Sequence, residues 1–231
     1  PTVRPAGFGK AHQDPFWGFV SDGADMLIRS LALQASFFLA ALAAARLPHS
    51  AQALSAHGII VQLWILNSYL ADGFANVGTM VGGWLWGIGN LDAKGAFQQL
   101  TDRLLCCGAM IGAIVCGLLL ALRDPIISIF TQESEGREHV LHYARQVWPL
   151  LAFMQPVNFL VFIYDGLVYA AQRFQYVRGL MVSGLFLVFL PVLAAGYYFS
   201  RTLLGIWAAK AVLNGWRLWG LSSEIHLRIL R

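Results

Sequence analysis

Residues 55–86 read SAHGIIVQLWILNSYLADGFANVGTMVGGWLW, and this stretch decides the fold. It is too long and too apolar for a helix of a soluble protein, whereas a bilayer-spanning helix needs about 20 mostly apolar residues. The stretch nevertheless carries a carboxylate, Asp72, in its interior. An ionisable side chain in a bilayer costs roughly 2.5–3.5 kcal/mol on insertion scales, so it normally faces a protein-lined or wet cavity. The sequence therefore predicts a membrane helix with a functional carboxylate.

Four polar side chains share one stripe of this predicted helix. At about 100° per residue, they fall within about 80° of one another. They are Gln62, Tyr69, Asp72 and Asn76. The stripe predicts one wall of a cavity, with Asp72 as a residue that binds an ion or a substrate. The alternative is that Asp72 lies near the membrane interface and only caps or pairs locally.

The glycines near the end of the stretch indicate helix packing. Gly78 with Gly82, and Gly83 with Gly87, have the small-xxx-small spacing that lets membrane helices approach closely. A phosphate-binding loop is excluded because no Lys-Ser/Thr pair follows these glycines and no strand precedes them. Gly89 is expected to end the helix in the glycine type of C-terminus.

The composition of the chain is that of an integral membrane protein. Of its 231 residues, 58% are hydrophobic and only 12% are charged, and the mean hydropathy is +0.60. The net charge of +4 does not indicate nucleic acid as a partner, because the basic residues cluster at helix ends in contact with the bilayer surface. Cys106, Cys107 and Cys116 lie in one apolar run and are predicted to be small packing residues.

The hydrophobic pattern predicts an all-α integral membrane protein, a six-transmembrane-helix bundle. A linker or interfacial segment is expected at 1–24, the membrane lobe at 25–222 and a short tail at 223–231. Lys and Arg number ten on the side of the linker, including Arg29 and Arg217, and five on the other side, which predicts that both ends are cytoplasmic. The spans are expected at about 26–45, 55–86, 104–122, 148–172, 177–199 and 203–221.

The fourth predicted span carries a second polar face. Pro149 and Pro156 weaken its backbone ladder and free carbonyl groups, which tend to face a cavity. A carboxylate is again accompanied by neutral polar groups and an aromatic ring, at successive spacings of 3, 4 and 3 residues along one face. This face consists of Gln155, Asn158, Phe162 and Asp165.

Other polar residues leave alternatives open. Gln34 in the first span is either a cavity residue or a partner in a helix–helix hydrogen bond. Lys210, inside the sixth span, either pairs with one of the two carboxylates or extends its ammonium group towards the membrane edge. His139 and His142 are three residues apart with no third ligand nearby, which predicts a solvated helix face and no metal site.

Five segments that cover most of the chain carry a family resemblance. In order they are IRSLALQASFFLAALAAARL, ALSAHGIIVQLWILNSYLADGFANVGTMVGGWLWGIGN, IFTQ ahead of a proline-bearing helix, YDGLVYAAQRFQYVRGLM, and LLGIWAAKAVLNGWRLWGL. Their order resembles the C-terminal six-helix lobe of the MATE (multidrug and toxin extrusion) transporters, in the DinF-like branch that includes plant and algal members.

The resemblance implies twelve spans in two lobes around a cleft that exports organic compounds in exchange for protons or sodium ions. It implies that Asp165 is a coupling-ion and substrate residue, and that Asp72-Gly73 is the Asp-Gly signature of the branch. Gln34 stands near the place where the NorM-like branch has an acid, which leaves the coupling ion open. The first lobe is absent from this sequence, so the chain is expected to be either a fragment of a longer protein that contains this lobe or a half-transporter that needs it as a partner.

The leading hypothesis is a cation-coupled efflux lobe for drugs, toxins or organic acids, in which Phe162 and Tyr69 hold flat or cationic substrates. No cofactor is expected. A flippase for a lipid-linked precursor would need several basic side chains in the cavity to hold a diphosphate, and only Lys210 is expected there. A membrane-embedded enzyme such as an acyltransferase would need a His-Asp or similar pair, but no acid lies within a turn of His57.

Overall fold

The computed structural model describes residues 15–130 and 136–230, and this part of the chain is helical almost throughout, with no strand. The predicted all-α fold is therefore confirmed. In chain order the helices are α1 (Pro15–Ala44), α2 (Ser50–Ile88), α3 (Leu91–Ala121), α4 (Arg123–Phe130), α5 (Arg137–Ala170), α6 (Phe174–Ser183), α7 (Leu190–Ala195) and α8 (Leu203–Glu224).

Five segments of the described chain are long and apolar enough to cross a membrane. The sixth predicted span is also a helix, α8, but it is not one of the five. Its buried polar residues Lys210, Asn214 and Arg217 lower its hydropathy, and they turn inward to the lobe. The five segments are Phe16–Ala44, Ser50–Ile88, Leu91–Ala121, Arg137–Ala170 and Phe174–Ser200.

Several helices extend beyond the apolar stretches that predict them. Helix α1 begins at Pro15, inside the segment predicted to be a linker, of which residues 1–14 lie outside the described chain. Helix α3 begins at Leu91 because the Asn90 side chain caps it, accepting a hydrogen bond from the Ala93 N–H at 2.7 Å. The first turn of α3 is polar, so hydropathy alone predicts a later start for this helix than the structure shows.

Residues 223–230, the last described part of the predicted tail, continue from α8 along the lobe. Glu224 is buried, and the π-helical turn Ile225–Ile229 that follows it buries Ile225 and Ile229 against the lobe. Burial of these apolar side chains removes them from the solvent, which favours packing of this segment against the lobe. The side of the membrane on which it lies stays a prediction.

Helix α5 is the centre of the lobe, and α2, α3 and α8 pack around it. Its closest approach to α2 is at Gly166, where a Cβ atom would lie only 2.2 Å from the carbonyl oxygen of Ala75. The Thr79 hydroxyl donates to the Gly166 carbonyl oxygen at 3.1 Å. Any side chain at residue 166 would push the helices apart, so this glycine sets how close Asp165 lies to α2.

The glycine prediction for α2 is confirmed for one pair, whereas the other pair makes no close contact within the described lobe. A Cβ on Gly78 would touch Leu167, and one on Gly82 would lie 3.0 Å from the Ala170 Cβ, so both face α5 closely. Gly83 and Gly87 have nothing within 4 Å of a Cβ position, so they do not mark a contact inside the lobe. The helix does end at Gly89, whose φ of 68° is left-handed.

The segment Phe174–Ser200 departs from regular α-helix near its proline. Two π-helical stretches, Gly184–Phe189 and Gly196–Ser200, flank α7. Pro191 lies at the start of α7 and has no N–H to donate, which interrupts the ladder of backbone hydrogen bonds. A Cβ on Gly196 would lie 2.4 Å from the Gly205 carbonyl oxygen, so this segment holds α8 at close range.

Candidate functional site

A recess of about 430 Å³ opens between α1, α2, α5 and α8. Polar and aromatic side chains from all four helices line it, in a lobe whose other surfaces are largely apolar. A cavity of this size with a few convergent polar groups is the usual form of a small-molecule site. Among the predicted site residues, the structure brings seven into this recess: Gln34, Tyr69, Asp72, Asn76, Phe162, Asp165 and Lys210.

Asp165 is the most strongly held acid in the recess. Its side chain is only 5% exposed, and its Oδ2 atom accepts hydrogen bonds from Nη2 of Arg29 at 2.6 Å and Nη2 of Arg217 at 2.5 Å. Its Oδ1 atom has no hydrogen-bond partner among the described residues. The carboxylate thus joins α5 to α1 and α8, and two guanidinium groups already occupy one of its oxygens.

Arg29 and Arg217 are the site residues that sequence reasoning missed. The count of basic residues placed both on the cytoplasmic side, which is wrong, because both line the recess and bind Asp165. One signal could have found Arg217: it lies seven residues after Lys210 and three after Asn214, so all three share a face of α8. The recess therefore holds three basic side chains, where only Lys210 was expected.

Lys210 follows neither of its two predicted alternatives. Lys210 is 2% exposed, so its ammonium group does not reach the membrane edge. Within the part of the chain that the structure describes it forms no ion pair with an acid. Instead its Nζ donates to the Ser36 hydroxyl at 2.9 Å and lies 3.5 Å from the centre of the Phe37 ring. A hydroxyl and a π face hold this cation.

A chain of amide and hydroxyl groups continues from the arginines across the lobe. Arg217 donates to the side-chain oxygen Oδ1 of Asn214 at 3.3 Å. The side-chain Nδ2 of Asn214 donates to Oδ1 of Asn158 at 3.3 Å. The Asn158 amide donates in turn to the Ser68 hydroxyl at 3.2 Å. Asn158 is therefore fully buried behind the recess and supports its wall, without lining it.

Two further predicted residues lie outside the recess. Gln155 is fully buried and its amide donates to the Leu151 carbonyl oxygen of its own helix at 2.8 Å. Gln62 is exposed, at the outer edge of the polar stripe of α2. Gln34, by contrast, lines the recess, which agrees with the cavity alternative and not with the helix-bonding one.

Asp72 differs from Asp165 in having no ion pair among the described residues. It lies midway along α2, half-buried, and lines the recess, so the alternative of a local cap at the membrane interface does not hold. Arg29 is close enough for a Coulomb attraction but is bonded to Asp165. Tyr69, one turn earlier, is 70% exposed, and Phe162 lines the recess as well.

The histidines considered from the sequence contact neighbouring side chains. His57 is buried against the indole of Trp207, with 5.6 Å between ring centres. His139 stacks on His49 at 3.9 Å, and His142 Nε2 lies 2.9 Å from the Gln146 amide nitrogen. Within residues 15–130 and 136–230, no group of three His, Cys, Asp or Glu side chains could hold a metal ion.

Comparisons with known proteins agree with this architecture. The model of the MatE family matches residues 26–195. Among curated relatives from Arabidopsis thaliana, "Protein DETOXIFICATION 44, chloroplastic" is 29% identical over 91% of this chain, and "Protein DETOXIFICATION 42" is 28% identical over 88%. The chain spans only 39% of the length of each of these two relatives. No solved structure matches the chain.

Proposed function

The chain belongs to the MatE family of membrane transporters, and from this premise we propose that it forms one lobe of a cation-coupled antiporter that exports organic compounds. The proposed antiporter exchanges protons or sodium ions for its substrate across the membrane. A second lobe, which the longer relatives have room for, supplies the other wall of the cleft. Both ends of the segment are proposed to be cytoplasmic.

The observation that carries this proposal is the unpaired carboxylate of Asp72 in the recess. Asp165 already accepts from Arg29 and Arg217 through its Oδ2 atom, so its charge is compensated and it attracts a proton or sodium ion less than an unpaired carboxylate does. Asp72 is half-buried, accessible from the recess and free of an ion pair within the described chain. The family resemblance implies a coupling role for Asp165. We instead assign this role to Asp72.

Exchange follows if the substrate and the coupling cation compete for one charge. An organic cation that binds beside Asp72 uses the same negative charge as a proton or sodium ion, so either one expels the other. The rings of Tyr69 and Phe162 offer faces to a flat or cationic molecule in the same recess. Asp165, locked by its arginines, keeps α1, α5 and α8 together while the lobe moves.

A second candidate function has a specific observation in its favour. Arg29, Lys210 and Arg217 give the recess the several basic side chains that a flippase for a lipid-linked precursor would need for a diphosphate. Against it, two of the three are engaged with Asp165 and the third is almost inaccessible, with the lysine residue 2% exposed. Export is therefore the better supported function.

The test uses the full-length protein in proteoliposomes, with the planar cation ethidium as substrate and an imposed pH or sodium gradient. Asp72→Asn should abolish gradient-driven transport, while Asp102→Asn, which removes an equal charge from an exposed position of α3, should leave it unchanged. Ethidium binding should also release protons from the wild type and not from Asp72→Asn. Unchanged coupled export by Asp72→Asn would overturn the assignment.

The same preparation separates the two candidates. A diphosphate-bearing lipid would be drawn by the basic side chains, so Arg29→Gln would weaken its binding while Asp72→Asn would not. Export of organic cations depends on Asp72 instead, so Asp72→Asn would abolish the ethidium response. Binding of the diphosphate lipid without any response to ethidium would favour the flippase.

A further inference from the structure

A second groove lies on the outside of the lobe, between α1 and α7. It has a volume of about 330 Å³ and, apart from its end, apolar walls. Helix α1 contributes Leu39, Leu42 and Ala43, and helix α7 contributes Leu190, Leu193 and Ala194. A furrow with these walls at membrane depth matches the shape and polarity of a hydrocarbon chain.

One end of this groove is strongly basic. Arg46 and Tyr197 line the groove and also line an adjoining pocket of about 300 Å³, to which Arg201 contributes. The apolar furrow therefore runs directly into a polar pocket with two guanidinium groups. Both arginines follow the end of a transmembrane segment, where the hydrocarbon region of a bilayer gives way to headgroups.

Among the described residues, the two guanidinium groups have no acidic partner. Arg46 and Arg201 are exposed, and neither forms an ion pair with an acid of residues 15–130 or 136–230. Arg123 and Arg145, by contrast, share Asp124. Two neighbouring positive charges without a carboxylate among the described residues form a site that an anion of the solvent or of the bilayer can fill.

The backbone at Arg201 supports a role for its side chain. Its φ of 47° and ψ of 36° are left-handed, a conformation that glycine takes at much lower cost than arginine. The position ends the segment Phe174–Ser200, as a glycine commonly does. An arginine kept in a strained conformation indicates that its side chain contributes something a glycine cannot.

The groove is separate from the substrate recess. On α1 the residues that line the recess, such as Arg29 and Phe37, and those that line the groove, such as Leu39 and Leu42, lie on roughly opposite sides at 3.6 residues per turn. The recess faces the cleft that a second lobe would complete. The groove therefore faces the bilayer.

From these observations we propose that the groove between α1 and α7 binds an anionic phospholipid. Arg46 and Arg201 hold the phosphate of the headgroup, and one acyl chain lies along the apolar furrow between Leu39 and Leu193. Tyr197 stands at the junction of the two, as tyrosines do at the membrane–water interface. Binding of this lipid ties the end of α1 to the end of α7.

The experiment measures lipid binding to the purified full-length protein in neutral detergent by native mass spectrometry. Phosphatidylglycerol should bind and phosphatidylcholine should not compete with it. The double variant Arg46→Gln/Arg201→Gln should weaken phosphatidylglycerol binding by roughly thirtyfold, from about fivefold for each arginine near an anionic headgroup. The matched double variant Arg123→Gln/Arg145→Gln removes an equal charge elsewhere and should leave binding unchanged.

Two further variants separate the parts of the site. Arg201→Gly relieves the left-handed backbone, so it should keep or raise the melting temperature and still weaken binding. Ala194→Trp fills the furrow and should weaken binding of phosphatidylglycerol while leaving any binding of glycerol 3-phosphate unaltered. The proposal is overturned if the arginine pair does not matter, if phosphatidylcholine binds equally, or if glycerol 3-phosphate alone binds as tightly as the lipid.

Discussion

Asp165 and Asp124 each hold two arginines, but in opposite surroundings. The Asp165 side chain is 5% exposed, and Arg29 and Arg217 bind its Oδ2 atom at 2.6 and 2.5 Å. The Asp124 side chain is 54% exposed at the start of α4, and its ion-pair contacts are 3.1–3.2 Å long. The residue types and charges are the same in the two clusters, whereas the burial and the contact lengths differ.

The difference shows that burial decides what an ion pair does. Water can replace a lost partner at Asp124 and screens its charge, so an exposed pair adds little stability. Water cannot do so at Asp165, where the loss of one charge leaves another buried without compensation. The Asp124 cluster is dispensable, whereas the Asp165 cluster fixes three helices around the recess.

The largest effect is expected for Asp165→Asn. The amide cannot compensate two guanidinium groups, so the free energy of unfolding should fall by about 3–5 kcal/mol. The measurement is denaturant unfolding of the full-length protein in detergent. A loss as small as that of Asp124→Asn would show that the two clusters are equivalent and that burial is not the deciding factor.

Removal of the arginines one at a time should rank them by burial. Removal of Arg217, whose side chain is 4% exposed, should lower the free energy of unfolding more than removal of Arg29, whose side chain is 15% exposed. We expect Arg217→Gln to lower the free energy of unfolding by about 2–3 kcal/mol and Arg29→Gln by less. Unfolding curves of the two single variants check the order, and the reverse order would contradict it.

Lys210→Met should have the opposite sign. The lysine is buried, and among the described residues only the Ser36 hydroxyl and the Phe37 ring hold its charge; methionine, of similar length, fills its place. The free energy of unfolding should rise by roughly 1 kcal/mol. Lys94→Met, on the less buried α3 position, is the control and should not be stabilising; a destabilised Lys210→Met would show that its two contacts outweigh the cost of burial.

The smallest effect is expected for Asp124→Asn. Hydrogen bonding from Arg123, together with that from Arg145, lowers the pKa of the Asp124 carboxyl group. Its ion pairs therefore stabilise the fold above the carboxyl pKa of the unfolded chain, and this stability is lost as the pH falls through the folded-state pKa. Because the group is exposed, the change in melting temperature should be too small to detect at physiological salt. A clear shift would contradict the comparison.

The two acids of the apolar helices could be found from the sequence. Asp72 and Asp165 stand out because a carboxylate in an apolar run is costly, and the structure places both in one recess. Gln62 shows the limit of the method. A stripe about 80° wide also contains residues at its edge, and only packing against α1 and α5 decides which of them face the recess.

The arginines could not be assigned in the same way. Arg29 and Arg217 were counted as flanks of spans, because a basic residue near the end of an apolar run usually lies at the interface. Their carboxylate is 136 positions away from one and 52 from the other. No local pattern contains that information. The tight contact at Gly166, which brings α5 against α2, was likewise invisible beforehand.

By itself the sequence determined that this chain is a helical membrane protein of a transporter family with two acids within apolar helices, because hydropathy and segment order are properties of neighbouring residues. Only the tertiary structure decided that two arginines bind Asp165 whereas Asp72 has no ion pair among the described residues, that three basic side chains line the recess, and that Arg46 and Arg201 line one pocket beside an apolar groove. Each of these depends on which helices touch, and the contacts join residues far apart in the chain.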